Sequence, residues 1–521
     1  MHLGFRHGVV VAALLTAVFL SVSYVGWKLG GLPFVPFDLF DWAARALPGA
    51  VVTFAIDAGI ALSRIAHVDA IGDAAKIAEQ AIALATTMCV SVAIGGLFVI
   101  ALRFSEEPAG LFGTLTGAMM GGTMLLIERR LDRIGPGAAL AASWVVGTLT
   151  LWGFALGWVC DRLRAMSRNP STIPGPPGGD VLRRQFLIRV TYGAAIPSLL
   201  TALWALIVGR KTSAAPGARW SDDHVLPNAT SPVRPVPGTR PEFTPLDAHY
   251  RIDADTRVPP IDAGRWRLRI TGLVDSPREL TLDELRRAEP LHQFITLSCI
   301  SNPLGGDLIG TTRWTGVSVQ RLLEQVTLRP RATHLRIRSA DGFFEVVSLE
   351  KVRQDPRVML TYAWDGVPLL PEHGFPLRIY VPDVYGMKQP KWVVALEVTD
   401  RWESGYWVVR GWDREGRTQN TSAVDAVDVR GDAPSEGRHT LRAGGIAFAG
   451  ARGISKVEAR IDQGPWQQAE LRDPLSNTTW TIWRATLQSG EGGHVVSVRS
   501  YEADGTPQEG RFHSKRTPGL A

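Results

Sequence analysis

The sequence predicts a multi-domain protein of three parts: an all-α transmembrane bundle, then an α+β domain, then an all-β sandwich. Long apolar runs fill residues 1–210, short strands and helices are mixed over 246–428, and alternating strands with Gly and Asp turns follow over 429–521. A chain of 521 residues is long enough for two to four domains, at about 100–200 residues each.

The net charge and the cysteines limit the classes of protein to which this chain can belong. The chain has 56 Lys and Arg against 50 Asp and Glu, a net charge of +6. Because no dense Lys/Arg stripe with interleaved aromatics occurs, we expect no nucleic-acid partner. Of its three cysteines, Cys89 and Cys160 lie in apolar segments, so they are expected to be buried and no disulfide framework is predicted. The third is Cys299.

Five apolar stretches in the first part are long enough to cross a bilayer, which takes about 20 residues. They are 9–31, 81–102, 109–127, 138–160 and 190–208. A sixth stretch, 50–66, carries Asp57 and Arg64, and such charges favour a helix that lies on the membrane surface or is partly inserted. No histidine lies within the five spans, so the sequence does not predict a haem between them.

The loop 161–189 predicts the orientation of the spans. Cytoplasmic loops are rich in Lys and Arg, and this loop contains Arg162, Arg164, Arg168, Arg183, Arg184 and Arg189. Counting from it puts 32–80, 128–137 and everything after 208 on the outer, periplasmic side of a cytoplasmic membrane. The arginines of 128–137 oppose this placement, and they are Arg129, Arg130 and Arg133.

The pair Arg183-Arg184 is followed by Phe-Leu and then by an apolar run. This pattern resembles a twin-arginine export signal, the type that carries prefolded proteins across a membrane. The alternative is that the two arginines only anchor the last span.

The linker and the α+β domain differ in composition. Residues 211–245 are rich in Pro, Ser, Thr and Ala without an apolar period, which predicts an extended linker. In 246–428, residues 265–274 alternate like a half-buried strand and 294–300 form a continuous apolar run typical of a buried strand.

Local signals within the α+β domain support this assignment. Thr281 and Glu284 have the spacing of a capping box at a helix start. Asp341-Gly342 and Asp365-Gly366 each predict a hairpin turn. In the sandwich part, strands recur with Gly and Asp turns, and the expected core aromatics are Trp466, Trp480 and Trp483.

Cys299, in "ITLSCISNPLGGD", has three interpretations. It is a buried core thiol, or a nucleophile that needs a histidine, for which the candidates are His292, His334 and His373. The third is a soft-metal ligand, which requires a cofactor to supply the other ligands. The segment 371–398 favours the third, because cationic and polar residues return there to one strand end and suit an anionic, phosphate-bearing ligand. They are His373, Arg378, Lys388 and Lys391.

Two segments in this order, "LSCISNPLGGDLIGTTRWTGVSVQRLL" and "LLPEHGFPLRIYVPDVYGMKQPKWV", resemble the sulfite oxidase-type molybdopterin-dependent oxidoreductases. The resemblance covers roughly 244–521. It implies a sulfite oxidase-like molybdopterin-binding domain over 246–428 and an Ig-like sandwich of the dimerisation type over 429–521, with a homodimer as the expected assembly.

The resemblance also implies the cofactor, molybdenum–molybdopterin, and the residues around it. Cys299 takes the position of the catalytic cysteine that binds molybdenum beside the pterin dithiolene. The expected cofactor contacts are Tyr250, Asp253, Ala254, Ser339, His373, Arg378, Lys388, Gln389, Pro390 and Lys391.

The sequence differs from that of sulfite oxidases at two places that affect the expected substrate. Sulfite oxidases have arginines shortly after the cysteine, where this chain has Asn302, Pro303 and Leu304. They also have a substrate-site tyrosine where Phe343 stands here. A pocket without these groups loses charge stabilisation of an oxyanion, so we expect a substrate other than sulfite.

These observations predict a membrane-anchored oxidoreductase that transfers an oxygen atom to or from a small molecule outside the cytoplasmic membrane. Its electrons would exchange with a quinone or a redox partner protein. The alternative is an exported domain without catalysis that serves as a binding or scaffold module on a membrane anchor.

Overall fold

A computed structural model describes residues 5–52, 54, 71–104, 107–131, 133, 138–168, 217–430 and 439–510. The chain divides into two compact units. The helical unit comprises residues 1–47, 73–213 and 253–257, and the β-rich unit comprises 48–72, 214–252 and 258–521. Each unit therefore includes a short piece from the other half of the chain.

Four helices of the described chain are long and apolar enough to cross a membrane: Phe5–Gly30, Lys76–Ala101, Ala109–Arg130 and Ala139–Ala165. The second and the last extend to Ile71–Ala101 and Ala139–Arg168. They coincide with four of the five predicted spans. The fifth, 190–208, lies outside the described residues, as do the Arg183-Arg184 pair and most of 50–66.

The helices Ala109–Arg130 and Ala139–Arg168 pack backbone against backbone. A Cβ atom on Gly113 would lie 2.1 Å from the carbonyl oxygen of Gly153, and a Cβ on Gly153 would lie 2.2 Å from that of Gly113. Small residues at such contacts allow the close approach by which membrane helices associate.

A further helix of this unit, Val35–Ala46, was not predicted. It carries Asp38 and Asp41, which are both buried. Both carboxylates form ion pairs with Arg133, and the Asp41 pair measures 2.7 Å between Nη2 and Oδ2.

The segment 253–257 completes this group of charges. Asp255 accepts from Arg133 at 2.7 Å and from Arg45 at 2.7 Å. Arg257 pairs with Asp38 at 2.6 Å. We call these residues, together with Asp41, the Arg133 cluster.

The α+β part of the β-rich unit contains two five-stranded sheets. One has the order β2-β1-β10-β5-β6, from Leu268–Gly272 (β1), Arg278–Leu280 (β2), His334–Ser339 (β5), Phe344–Ser348 (β6) and Val393–Thr399 (β10). The other has the order β3-β4-β7-β8, with β9 beside β7, from Leu291–Ser298 (β3), Ile309–Ser318 (β4), Met359–Trp364 (β7), Val367–Pro368 (β8) and Arg378–Tyr380 (β9).

Short helices cover these sheets at Leu282–Arg287, Val319–Glu324 and Leu349–Gln354. The predicted capping box is confirmed, because Thr281 Oγ1 accepts from the Glu284 N–H and the Glu284 carboxylate accepts from the Thr281 N–H. The two predicted hairpins form as β5–β6 and β7–β8.

The last part of the chain forms two sheets that share a core. The four-stranded sheet has the order β11-β12-β16-β15, from Thr421–Arg430 (β11), His439–Phe448 (β12), Glu470–Leu471 (β15) and Thr481–Ser489 (β16). The three-stranded sheet has the order β14-β13-β17, from Ile454–Ile461 (β13), Gln467–Gln468 (β14) and Val496–Glu502 (β17). Buried residues of β12, β13 and β16 pack together between them, and an Ig-like topology stays a prediction.

Three details differ from the sequence-based expectation. One is Cys89, which was expected to be buried and is exposed on the surface of its helix. Strand β11 pairs with β12 from Thr421 onward, so it crosses the predicted boundary at 428 and belongs with the last two sheets. Trp480 and Trp483 are buried, but Trp466 lies beneath the guanidinium groups of Arg460 and Arg499.

The described part of the linker, 217–245, forms no strand, contains the short helix Trp220–Asp223 and several turns, and packs on its own unit. Arg472 donates to the carbonyl oxygens of Asn228 and Val233, and Arg240 pairs with Asp425. Polar anchoring of this kind holds a Pro-rich segment in place without a sheet.

Candidate active site

Cys299 directly follows β3 and opens the loop that leads to β4. Its N–H donates to the carbonyl oxygen of Leu308 at 2.9 Å, and its carbonyl accepts from the Asn302 N–H at 3.0 Å. The side-chain oxygen of Asn302 accepts from the Leu308 N–H at 2.9 Å. The loop is therefore closed by its own hydrogen bonds, and Asn302 is used to shape it.

Two tyrosines flank the Cys299 thiol. Burial raises the pKa of Tyr250 well above its usual value, and the negative charge of a thiolate at Cys299 adds to this. Burial also raises the pKa of Tyr385 to about 12. Gly386 leaves room for the Tyr250 hydroxyl, which would lie 3.2 Å from a Cβ atom at that position. Both hydroxyls are therefore protonated at neutral pH.

A group of buried polar and aromatic side chains, which we call the His249 pocket, begins one residue before Tyr250, at His249. Its ring lies 5.3 Å from that of Trp364 and 5.9 Å from that of His373, and Trp364 lies 5.6 Å from Trp314. In the described structure, His249 Nε2 and the indole nitrogens of Trp314 and Trp364 are buried without a hydrogen-bond partner. Buried polar atoms are normally paired, so these atoms indicate a place for a polar ligand.

Both histidines of this pocket are neutral. Burial lowers the pKa of His249 to about 4 and that of His373 well below its usual value, and the Arg378 guanidinium adds to both shifts. A neutral imidazole offers one donor and one acceptor nitrogen to a ligand.

Arg378 supplies the positive charge of the pocket. It is buried, donates to the His373 carbonyl oxygen at 3.2 Å and lies 4.9 Å from the centre of the Trp314 ring. Burial lowers its pKa to about 10. No carboxylate of the described residues acts on its charge, and the nearby group that favours the charged form is the Tyr250 hydroxyl. An uncompensated buried charge is costly, so the pocket favours an anionic ligand.

A glycine turn brings the other predicted cation near. Gly374 has φ +110°, and a Cβ atom there would lie 3.0 Å from Arg378 Cβ and 3.2 Å from Lys391 Cβ. Lys391 Nζ donates to the carbonyl oxygen of Glu372 at 3.0 Å. The turn therefore gathers His373, Arg378 and Lys391 in one place.

Three further predicted residues lie close to this turn in the sheet and loop. Ser339 ends β5, pairs with Val393, and has a buried hydroxyl without a partner in the described structure. The side-chain amide of Gln389 donates to the carbonyl oxygen of Val384 at 2.8 Å, and the carbonyl of Pro390 accepts from the Ile379 N–H at 3.1 Å. Gln389 and Pro390 thus shape the loop that carries Lys391.

Three predicted cofactor contacts are not part of the group of residues around Arg378. The Lys388 ammonium is paired with the Glu345 carboxylate at 2.6 Å, and both side chains are buried. Asp253 and Ala254 belong to the helical unit, whereas Tyr250 belongs to the β-rich unit. Cofactor contacts for these three residues stay predictions.

The site has the donor set that a cofactor-held metal requires. No group of three or more His, Cys, Asp or Glu side chains that could hold a metal occurs in the described parts of the chain. A metal at Cys299 therefore needs ligands from a cofactor, and the cationic pocket around Arg378 fits the anionic part of one.

Comparisons with known proteins agree with this geometry. Residues 255–407 match the oxidoreductase molybdopterin binding domain family. The putative protein-methionine-sulfoxide reductase subunit YedZ1 of Azospira oryzae is 31% identical over 187 residues, which cover 36% of this chain and 68% of that protein. This chain belongs to the sulfite oxidase-type molybdopterin oxidoreductases. It is an enzyme of that family, and its cofactor is molybdenum–molybdopterin.

Two further comparisons cover other shares of the chain. Rat mitochondrial sulfite oxidase is 27% identical over 272 residues, 44% of this chain and 50% of that protein, so the chain spans half the length of that relative. The crystal structure of sulfane dehydrogenase SoxCD from Paracoccus pantotrophus shares 20% identity and a TM-score of 0.44 over 58% of this chain and 89% of that one. The apolar helices before the oxidoreductase domain fit a membrane anchor.

Several residues of the site were missed from the sequence. His249 directly precedes the predicted Tyr250, and Tyr385 lies in the same quoted segment as Lys388. Trp314 and Trp364 lie in apolar stretches typical of buried strands, so the sequence around them did not indicate a ligand site. Only the pairing of β4 with β7 places them side by side.

Proposed function

We propose that this molybdopterin oxidoreductase reduces a neutral sulfoxide by oxygen-atom transfer, as an enzyme anchored in the cytoplasmic membrane. The observation that supports the substrate class is a cleft lined by Ser298, the residue before Cys299, and by Asn302 and Tyr385. Its hydrogen-bond donors are neutral, and the one cation that lines it in the described structure, Arg240, is paired with Asp425 at 2.7 Å.

Two donors in this cleft suit a sulfoxide oxygen. The Tyr385 hydroxyl accepts from the Gln419 N–H at 3.1 Å, which leaves its own proton available. In the described structure, the side-chain nitrogen of Gln419 is buried without a partner and lines the same cleft. A sulfoxide oxygen is a strong neutral acceptor, whereas sulfite would need cations to offset its charge.

The residues around Cys299 and those around Arg378 would have different roles in binding the cofactor. Cys299 would bind the metal through its sulfur, while Arg378, Lys391 and the neutral histidines would hold the anionic and polar parts of the cofactor. When bound, molybdenum–molybdopterin supplies two-electron oxygen-atom transfer chemistry. Tyr250 and Tyr385 stay protonated and can donate hydrogen bonds to the substrate oxygen.

The overall reaction consumes a sulfoxide, two protons and two electrons and yields a sulfide and water. A quinone or a redox partner protein would supply the electrons. The similarity to YedZ1, which is named a putative protein-methionine-sulfoxide reductase subunit, supports the reductive direction. A homodimer formed through the last two sheets is part of the proposal and can be tested by light scattering of the purified protein.

Metal content and activity test the proposal. The full chain, purified from a host that makes molybdopterin, should contain one molybdenum per chain and oxidise a reduced dye with sulfoxides but not turn over sulfite. Cys299→Ala should abolish turnover, and the matched substitution Cys160→Ala should not. A protein without molybdenum would instead support the non-catalytic scaffold, and sulfite turnover would refute the substrate class.

We propose that the oxidoreductase domain faces the outer side of the membrane. The Arg133 cluster supports this orientation in two ways. First, it joins Asp255 of the segment 253–257 to Arg133, which lies in 128–137, and through Arg133 to Asp38, which lies in 32–80; the arginine count assigns both of these segments to the outer side. Second, its carboxylates neutralise Arg133, one of the arginines that opposed this orientation. A phosphatase reporter fused after residue 209 should be active, while one fused after residue 168 should not. The reverse pattern would refute the orientation.

A further inference from the structure

The loop 402–412 of the β-rich unit exposes an apolar tip on a rigid base. Val408–Arg410 form a turn of 3-10 helix, and Val409 at this turn is 69% exposed. Beneath it, the rings of Trp407 and Trp412 lie 4.4 Å apart. Trp412 is buried against Ile300, the residue after Cys299. The tip is therefore held out from the protein by packed aromatic rings.

This tip touches a second segment of the same unit. A Cβ atom on Gly49 would lie 2.3 Å from the carbonyl oxygen of Arg410, so the two backbones are in direct contact. Shortly after Gly49, Val51 is 47% exposed and Phe54 is 74% exposed. Two touching segments thus leave three large apolar side chains uncovered in the described structure.

The position of Gly49 in the chain indicates what covers them. It lies between two helices that can span a membrane, Phe5–Gly30 and Lys76–Ala101, and is separated from the first only by the helix Val35–Ala46 and short turns. A segment tied to spans on both sides stays near the membrane surface. The exposed side chains of this segment are therefore within reach of lipid.

The chemistry of the loop suits the membrane–water boundary. Trp402, Tyr406 and Trp407 have the amphipathic rings that are enriched at headgroup level. The Arg410 guanidinium lies 3.7 Å from the centre of the Tyr406 ring, beside the apolar tip, where it can meet lipid phosphates. Apolar side chains flanked by aromatic rings and cations are typical of surfaces that enter a bilayer by about 5–10 Å.

We infer that Val409, Val51 and Phe54 insert into the headgroup–acyl boundary of the bilayer that holds the helical unit. The oxidoreductase unit then has a membrane contact of its own, in addition to the spanning helices. Because the loop packs on Ile300, this contact sets how the Cys299 side of the domain faces the lipid. The contact does not depend on the substrate or the direction of the reaction.

A fluorescent probe at the tip tests the inference. The full chain is placed in nanodiscs of phosphatidylethanolamine and phosphatidylglycerol, with an environment-sensitive fluorescent amino acid replacing Val409. The matched control carries the probe at Val495, which is 66% exposed on the last part of the chain. A second variant carries it at Phe54, in case the change at the tip disturbs the loop.

The probes at 409 and 54 should emit at shorter wavelength than the probe at 495. Their fluorescence should fall with lipids spin-labelled near the headgroup and should resist aqueous iodide. Quenching by iodide equal to that at 495, without an effect of spin-labelled lipid, would overturn the inference. Protection from iodide without lipid quenching would identify a second copy of the chain as the occupant and would also overturn it.

Discussion

Arg378 shows how a single residue defines the ligand of a pocket. A guanidinium group enclosed by Trp314 and His373, without a carboxylate partner in the described structure, costs stability until an anion arrives. We propose that this charge serves binding of the cofactor rather than folding. The neutral histidines beside it add donors and acceptors without adding charge.

We therefore expect Arg378→Gln to separate cofactor binding from stability. Loss of a hydrogen bond to a charged group should weaken molybdopterin binding by about 1.5–3 kcal/mol, or roughly ten- to a hundredfold. The unfolding free energy of the cofactor-free protein should stay equal or rise, because an unpaired buried charge is removed. Pterin fluorescence after extraction measures the bound cofactor. Denaturant titration measures the free energy of unfolding of the cofactor-free protein.

The control is Arg338→Gln, one residue before Ser339 on the same strand and exposed to solvent. It should change neither quantity. Normal pterin content in Arg378→Gln together with a less stable cofactor-free protein would show that Arg378 serves the fold instead.

His249 gives the cofactor-free protein a pH dependence with a definite sign. Its pKa in the folded state, about 4, lies below the unfolded value of about 6.5, so the unfolded state binds more protons between these values. The free energy of unfolding should therefore fall as the pH is lowered from about 6.5 to 4. In His249→Phe, the slope of unfolding free energy against pH should be smaller by about one proton. An unchanged slope would contradict the assignment, whatever the overall stability of the variant.

At the scale of elements, one buried ion pair connects the loop that carries Gln389, Pro390 and Lys391 to strand β6. Lys388, in the short 3-10 turn Gly386–Lys388, pairs with Glu345 on β6. Burial raises the pKa of Glu345, and the ammonium of Lys388 opposes the shift. The carboxylate also fills the space where a Cβ atom on Gly405 would stand, at 2.4 Å. The pair thus joins three chain segments.

Breaking this pair from either side should cost about 3–5 kcal/mol of unfolding free energy, because the partner is left buried and charged. Lys388→Met and Glu345→Gln are the single variants, and Lys388→Met/Glu345→Leu removes both groups. We expect the double variant to be more stable than Lys388→Met alone. Denaturant titration measures the cycle, and strictly additive losses would show that the two residues do not act as a pair.

At the scale of the whole molecule, the chain order and the folded units do not coincide. Residues 253–257 follow the predicted pterin contact Tyr250, yet they fold with the helical unit. They are held there by the Arg133 cluster, in which Arg133 serves Asp38, Asp41 and Asp255 at once. Such a network orders a short segment far more strongly than an isolated surface pair.

Arg133→Gln should therefore destabilise the helical unit by about 3–5 kcal/mol, because three buried carboxylates lose their shared cation. The measurement is thermal unfolding of the full chain in detergent. Arg130→Gln, at the exposed end of the helix that precedes Arg133, is the matched control and should leave the transition unchanged. Equal transitions for both variants would show that the cluster does not stabilise this unit.

Much of the architecture could be predicted because it rests on local patterns. Apolar length identifies membrane helices, Asp-Gly pairs identify hairpins, and Thr281 with Glu284 identifies a helix start, all within a few residues. The boundary near 428 was misplaced, because strand β11 is assigned by its partner β12 rather than by its own composition.

The cofactor was within reach of the sequence because two specific segments indicate it, and Cys299 as its metal ligand stays a prediction. What surrounds Cys299 depended on the tertiary structure. Lys388 and Lys391 have the same side chain and lie three residues apart, yet only Lys388 meets Glu345, 43 residues away. Gln419 had no local signal, and the signal for His249 was only its place beside the predicted contact Tyr250.

The sequence by itself was thus enough for the apolar helices, for a β-rich molybdopterin-binding domain after them and for the cofactor, since each depends on neighbours along the chain. Cys299 as the metal ligand stays a prediction. The tertiary structure decided which cation pairs with a buried carboxylate, which polar atoms of the described residues remain unpaired and which segments join which unit. Burial and long-range pairing set these properties, and both arise only when distant segments are brought together.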